Sequence, residues 1–131
     1  MTAFQVFEHL PDPVGALRLL AQSLVPGGVV LIEVPNIETL AVRLLRGRHR
    51  HFVPDHLTFF SARTLTALLK CAGLEVRQIY HPTRWMSLHH LFSRYLTRIG
   101  PAAAQGLLAR MIVPVNIRDI IAVIGWKPYN A

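Results

Sequence analysis

The stretch "FQVFEHLPDPVGALRLLAQSLVPGGVVLIEVPN", Phe4 to Asn36, decides how the rest of the chain is read. It opens inside an apolar run, Thr2 to Phe7, that reads as a short buried strand. Glu8 and His9 close that run, and Pro11-Asp12-Pro13 breaks the backbone direction. Val14, Leu17, Leu20, Ala21 and Leu24 then recur at helical spacing. Pro26 cannot continue the helix, and Gly27-Gly28 permits a tight turn. "VVLIEV", Val29 to Val34, is β-branched and nearly continuous, the pattern of a strand covered on both faces. Pro35 and Asn36 end it.

Downstream, a short helix is expected around Glu38 to Leu45, followed by a long loop, Gly47 to Phe60. A loop of that length in a compact domain is more often functional than accidental. Ser61 can cap the next helix, with Leu65, Leu68, Leu69 and Ala72 on its inner face and Gly73 as its left-handed terminator. "EVRQIYH", Glu75 to His81, reads as a strand. Leu88, Leu91, Phe92, Tyr95, Leu96 and Ile99 form the stripe of an amphipathic helix. A second helix is expected over Ala102 to Ile112, and a last strand from Ile117 to about Trp126. This order argues for an α/β layered domain with a largely parallel sheet.

The 131 residues suit one domain, and a hydrophobic fraction of 52% excludes disorder. No apolar stretch approaches the roughly 18 to 20 residues of a membrane span. The start, "MTAFQVFEHL", lacks the basic flank of a secretory signal. The single cysteine, Cys71, excludes an internal disulfide and a cysteine-rich zinc site. A cytoplasmic protein is the expectation. The formal charge of +7 suits anionic partners, and equally serves solubility. Arginines concentrate in "RLLRGRHRHF", Arg43 to Phe52, and are otherwise spread out, so nothing compels a nucleic-acid partner.

The Phe4–Asn36 stretch resembles the middle of a class I S-adenosylmethionine-dependent methyltransferase. In that family the fourth strand ends in Glu-His, a Pro-Asp-Pro turn follows, and the next helix runs into Leu-x-Pro-Gly-Gly before the fifth strand. "DHLTFFSARTLTALLKCAGLEV", from Asp55, is similar to the later stretch in which a His and an aromatic pair precede a capped helix. "IIAVIGWKP", from Ile120, resembles the antiparallel last strand. The resemblance implies a partial Rossmann-like sheet: the last four strands, the final one antiparallel, with flanking helices. In the family the cofactor sits mainly on the first half of the fold, on a Gly-rich turn and an acidic residue that holds the ribose. Residues 1–131 are therefore expected to be a single partial methyltransferase domain lacking that N-terminal half. The first strand would then lie at an exposed edge, able to pair with a second copy or a partner chain.

A subset of the family, including ubiquinone-pathway O-methyltransferases, reads Glu-x-x-Glu-His at this point and carries a downstream His. Those four side chains hold a divalent metal such as Mg beside the methyl donor. Glu8, His9 and His56 match three of the positions, and Gln5 stands where the first Glu would be. Three readings stay open: a metal site; His9 or His56 as a general base; or a polar turn touching substrate or loop backbone. Phe4 corresponds to a cofactor-lining position, or is simply core. Asn36, at the carboxyl end of its strand, points to substrate or caps its turn. Arg48 and Arg50, in the basic loop, are candidate ligands for an anionic substrate or a membrane headgroup, or are solvated. The Leu88–Ile99 stripe covers the sheet, lids the substrate or lies on a bilayer surface. The resemblance implies S-adenosylmethionine as cofactor and transfer of its methyl group to an oxygen of a small molecule. The other class of reading is a non-catalytic interaction half that pairs with another chain.

Overall fold

The computed structural model describes residues 1–45, 52–90 and 110–129. These fall into two compact units, Met1–Pro82 with Ile117–Ala131, and Thr83–Asn116. The larger unit holds a four-stranded sheet. Its strands are β1 (Thr2–Phe4), β2 (Val29–Pro35), β3 (Glu75–Tyr80) and β6 (Ile120–Trp126), in the order β1-β2-β6-β3. β1 and β2 run parallel, and β6 lies antiparallel between β2 and β3. The expected antiparallel last strand is present, inserted between two earlier ones.

Local chemistry fixes the helices. Helix α1 (Pro13–Ser23) begins where Asp12 accepts a hydrogen bond from the Gly15 N–H and Pro13 supplies a preset φ. Helix α2 (Leu40–Leu45) starts beside Thr39, whose hydroxyl accepts from Val42 N–H at 3.1 Å. Helix α3 (Ala62–Cys71) carries a reciprocal cap between Ser61 and Thr64. Gly73 terminates it at φ 75, in the left-handed region that glycine enters without strain. The buried faces meet in one core: Leu17 and Ala21 of α1, Leu65 and Leu69 of α3, Val30, Ile32 and Val34 of β2, Ile121 and Val123 of β6. At Gly125 a Cβ would stand 2.6 Å from Leu69 Cδ2 and 3.0 Å from Val30 Cγ1, so α3 packs onto β6 because that position has no side chain.

Two expectations about the first strands need correction. β1 stops at Phe4, not Phe7, because Gln5 takes φ 54 and residues Phe7–His9 coil into a 3₁₀ turn. Phe7 alone swings into the core, while Phe4 is 52% exposed and so is not a core residue. Among the described residues β1 pairs only with β2, which is why its side chains stay accessible. β2 is not covered equally on both faces. Val30, Ile32 and Val34 meet the core, whereas Leu31 and Glu33 are half-buried and Val29 is exposed.

The smaller unit contains a ladder the sequence did not announce. β4 (Arg84–Ser87) pairs antiparallel with β5 (Ile112–Val115). Ile112, expected to end a helix, belongs to this strand. β-branched Ile112, Val113 and Val115 flank Pro114, which a helix interior rejects and a two-stranded ladder accepts. The rest of that expected helix, up to Ala109, and the Leu88–Ile99 stripe beyond His90 lie outside the described residues. No helix among the described residues is long and apolar enough to cross a membrane.

Candidate active site

The carboxyl ends of the parallel strands β1 and β2 lie at one edge of the sheet, the place where open α/β sheets bind ligands. Beyond β1, the 3₁₀ turn presents Glu8 inward and His9 outward. The turn is stitched to the distant loop through its backbone. The Glu8 carbonyl accepts from Leu57 N–H at 2.8 Å and from Thr58 N–H at 3.1 Å. Asn36 pairs with Phe60 in an isolated bridge, which brings the same loop across the end of β2. His56 is thereby carried to the turn, and its ring meets that of His9 edge-on at 4.9 Å between centroids.

Glu8, His9 and His56 thus form a cluster whose potential ligand atoms lie within 4.8 Å of one another. Glu8 is 1% exposed, and among the described residues no other residue hydrogen-bonds either carboxylate oxygen. Leaving such a group unmatched costs about 1–3 kcal/mol, so the position demands an explanation. Burial pushes the Glu8 carboxyl above its ordinary range. Its own backbone amide and the charges of His9 and His56 pull the other way, and the Glu33 charge adds to the rise. His9 Nδ1 lies 2.8 Å from the Asp55 carbonyl oxygen. A carbonyl can only accept, so Nδ1 carries a proton, and in the neutral ring the lone pair is on Nε2. This second hydrogen bond orients a metal-binding or proton-accepting imidazole.

The other sequence candidates fare differently. Asn36 is 4% exposed and both ends of its amide are hydrogen-bonded. Nδ2 donates to the Arg118 carbonyl at 3.0 Å, and Oδ1 accepts from Glu38 N–H at 3.0 Å. Its geometry is that of a turn clamp. Phe4 exposes its ring at the end of β1. Arg48 and Arg50 lie outside the described residues. Glu33 was missed. Register pairs it with Phe4, and its Oε1 accepts from the Gln5 amide over a long 3.4 Å. The Asp55 carbonyl was missed too, because a backbone acceptor leaves no mark in residue identity.

A family model described as a methyltransferase domain matches residues 1–79. The chain belongs to the class I S-adenosylmethionine-dependent methyltransferases. A protein of Mycolicibacterium smegmatis named probable S-adenosylmethionine-dependent methyltransferase is 34% identical over 106 residues, covering 81% of this chain and 40% of that relative. The ubiquinone biosynthesis O-methyltransferase of Aeromonas salmonicida is 31% identical over 91 residues, covering 60% of this chain and 36% of its own length. A SAM-dependent methyltransferase structure from Thermotoga maritima superposes with a TM-score of 0.58 at 16% identity, covering 96% of this chain and 54% of that one. The last likeness shows the fold alone, a Rossmann-like methyltransferase sheet. This methyltransferase chain spans about two fifths of the length of the curated relatives it matches.

Proposed function

We propose that this protein moves the methyl group of S-adenosylmethionine to an oxygen of a small molecule, and that Glu8, His9 and His56 handle the acceptor. One observation carries this: a buried carboxylate that no other described residue hydrogen-bonds lies beside two imidazoles at the carboxyl edge of the sheet. A core carboxylate serving stability alone would have its hydrogen bonds made. The relative that transfers to oxygen in ubiquinone biosynthesis supports the choice of acceptor atom. Phe4 is assigned to the cofactor side, and Arg48 and Arg50 to attraction of an anionic substrate.

A divalent cation fits the three donors, since the unmatched Glu8 oxygens favour positive charge and the Nδ1-protonated neutral tautomer of His9 offers an Nε2 lone pair. Bound there, a cation would lower the pKa of an acceptor hydroxyl. The chain's own residues do the rest. The Asp55 carbonyl fixes the His9 tautomer, and the two backbone bonds from Leu57 and Thr58 to Glu8 hold the His56 loop against the turn. Transfer is an in-line displacement: the S–CH₃ bond breaks as the O–CH₃ bond forms, and the acceptor proton leaves to an imidazole or to water. Positioning supplies most of the acceleration.

The exposed edge of β1 favours a second reading, an interaction half that pairs with another chain through that edge. Incubation of the protein with S-adenosylmethionine and phenolic or amine acceptors separates the two. Formation of S-adenosylhomocysteine with a phenolic acceptor supports O-methylation. Turnover with amines alone contradicts the acceptor assignment, and absence of turnover with every acceptor in protein shown by calorimetry to bind S-adenosylmethionine contradicts the enzymatic reading.

A further inference from the structure

We propose that the Glu8–His9–His56 site is built for a borderline transition-metal ion, of the zinc, cobalt or iron(II) kind, and discriminates against magnesium. The inference rests on the cation reading above and concerns which ion the donors select. Only one of the three donors is anionic, and the other two are imidazoles. Magnesium demands near-octahedral oxygen coordination and is reluctant to shed water. Imidazole nitrogen suits zinc, iron, nickel and copper, and two His with one carboxylate and open positions is the pattern of transition-metal sites.

The resemblance puts Gln5 at a fourth ligand position, and the fold holds it as a neutral amide against Glu33. Gln5 adopts φ 54, a conformation few non-glycine residues keep unless their surroundings impose it. Glu33 bonds to it twice. The Gln5 N–H donates to the Glu33 carbonyl at 2.8 Å, and the Gln5 amide donates to Glu33 Oε1 at 3.4 Å. A carboxylate at position 5 would face Glu33 at the same distance and be repelled. The neighbouring strand thus selects an amide where a carboxylate would bring magnesium in.

The test is equilibrium dialysis of the tag-free, chelator-stripped protein against Co²⁺, Zn²⁺ and Mg²⁺, with the cobalt visible spectrum reporting nitrogen ligation. Wild-type protein should bind Co²⁺ and Zn²⁺ at least about 100-fold more tightly than Mg²⁺. E8Q, H56A and H9A should each weaken Co²⁺ binding on the order of tenfold or more. His9 is exposed, so H9A separates ligation from folding. The exchange Q5E/E33Q keeps one amide and one carboxylate in contact and should shrink the discrimination against Mg²⁺ by roughly tenfold, because affinity for hard cations follows the ligand charge count. Magnesium binding as tight as cobalt, lost in the same variants, overturns the selectivity while leaving the cation reading intact. Binding of all three ions unaffected by E8Q and H9A overturns the cation reading itself.

Discussion

Glu8 offers the sharpest test of a function built at the expense of stability. In chelated, metal-free protein its carboxylate is buried, with neither oxygen hydrogen-bonded by another described residue. Glu8→Gln keeps shape and volume and removes only the charge. Burial raises the Glu8 pKa. Above the ordinary carboxylate range the unfolded chain therefore gives up its proton while the folded state resists. The folded state binds more protons there, so stability falls as pH rises from the ordinary carboxylate value through the raised one. E8Q has no such loss. Its gain should be absent below the ordinary carboxylate range and grow as pH rises through that window, to about 1–3 kcal/mol once the folded carboxyl ionises, the scale of the desolvation cost that the charge adds. For a domain of this size that corresponds to roughly 3–10 °C in Tm. Thermal unfolding by circular dichroism at a series of pH values measures it. A destabilised E8Q at neutral pH, or a difference independent of pH, would refute the burial penalty.

Further outcomes follow from packing. Gly125→Ala puts a methyl group 2.6 Å from Leu69 Cδ2 in a filled core, and should cost about 1–3 kcal/mol in urea unfolding. An unchanged midpoint would show that α3 can move off β6. The exposed apolar side chains of β1 and the turn after it, Phe4 at 52% and Val6 at 44%, should drive concentration-dependent association in sedimentation velocity. Phe4→Lys should reduce that association by charging the edge; a wild-type protein monomeric at all concentrations would contradict it.

Much of this fold could be read from residue types with fixed local meaning. Asp12-Pro13 opens α1, Ser61 opens α3, and Gly73 closes it, each for a steric or hydrogen-bonding reason that needs no tertiary contact. The antiparallel last strand came from resemblance, not from periodicity. What stayed hidden depends on contacts between distant segments. β1 ends where Gln5 turns to positive φ beside Glu33 of the neighbouring strand, and strand register is not written in either segment alone. The β4–β5 ladder was masked by apolar residues at helix-like spacing, and Pro114 was the overlooked signal. At the site, Glu8, His9 and His56 were legible as residue types at family positions. Their convergence depends on the backbone bonds from Leu57 and Thr58 to Glu8, and the His9 tautomer on the Asp55 carbonyl.

The most direct measurement follows isotopic label from S-adenosylmethionine bearing a labelled methyl group into a phenolic acceptor, comparing wild type with H9A and H56A at saturating donor. If these imidazoles serve the acceptor, label transfer per enzyme falls by about 10²–10⁴ in each variant, with donor affinity within a factor of about two of wild type. Label transfer undiminished in both variants would remove His9 and His56 from the chemistry.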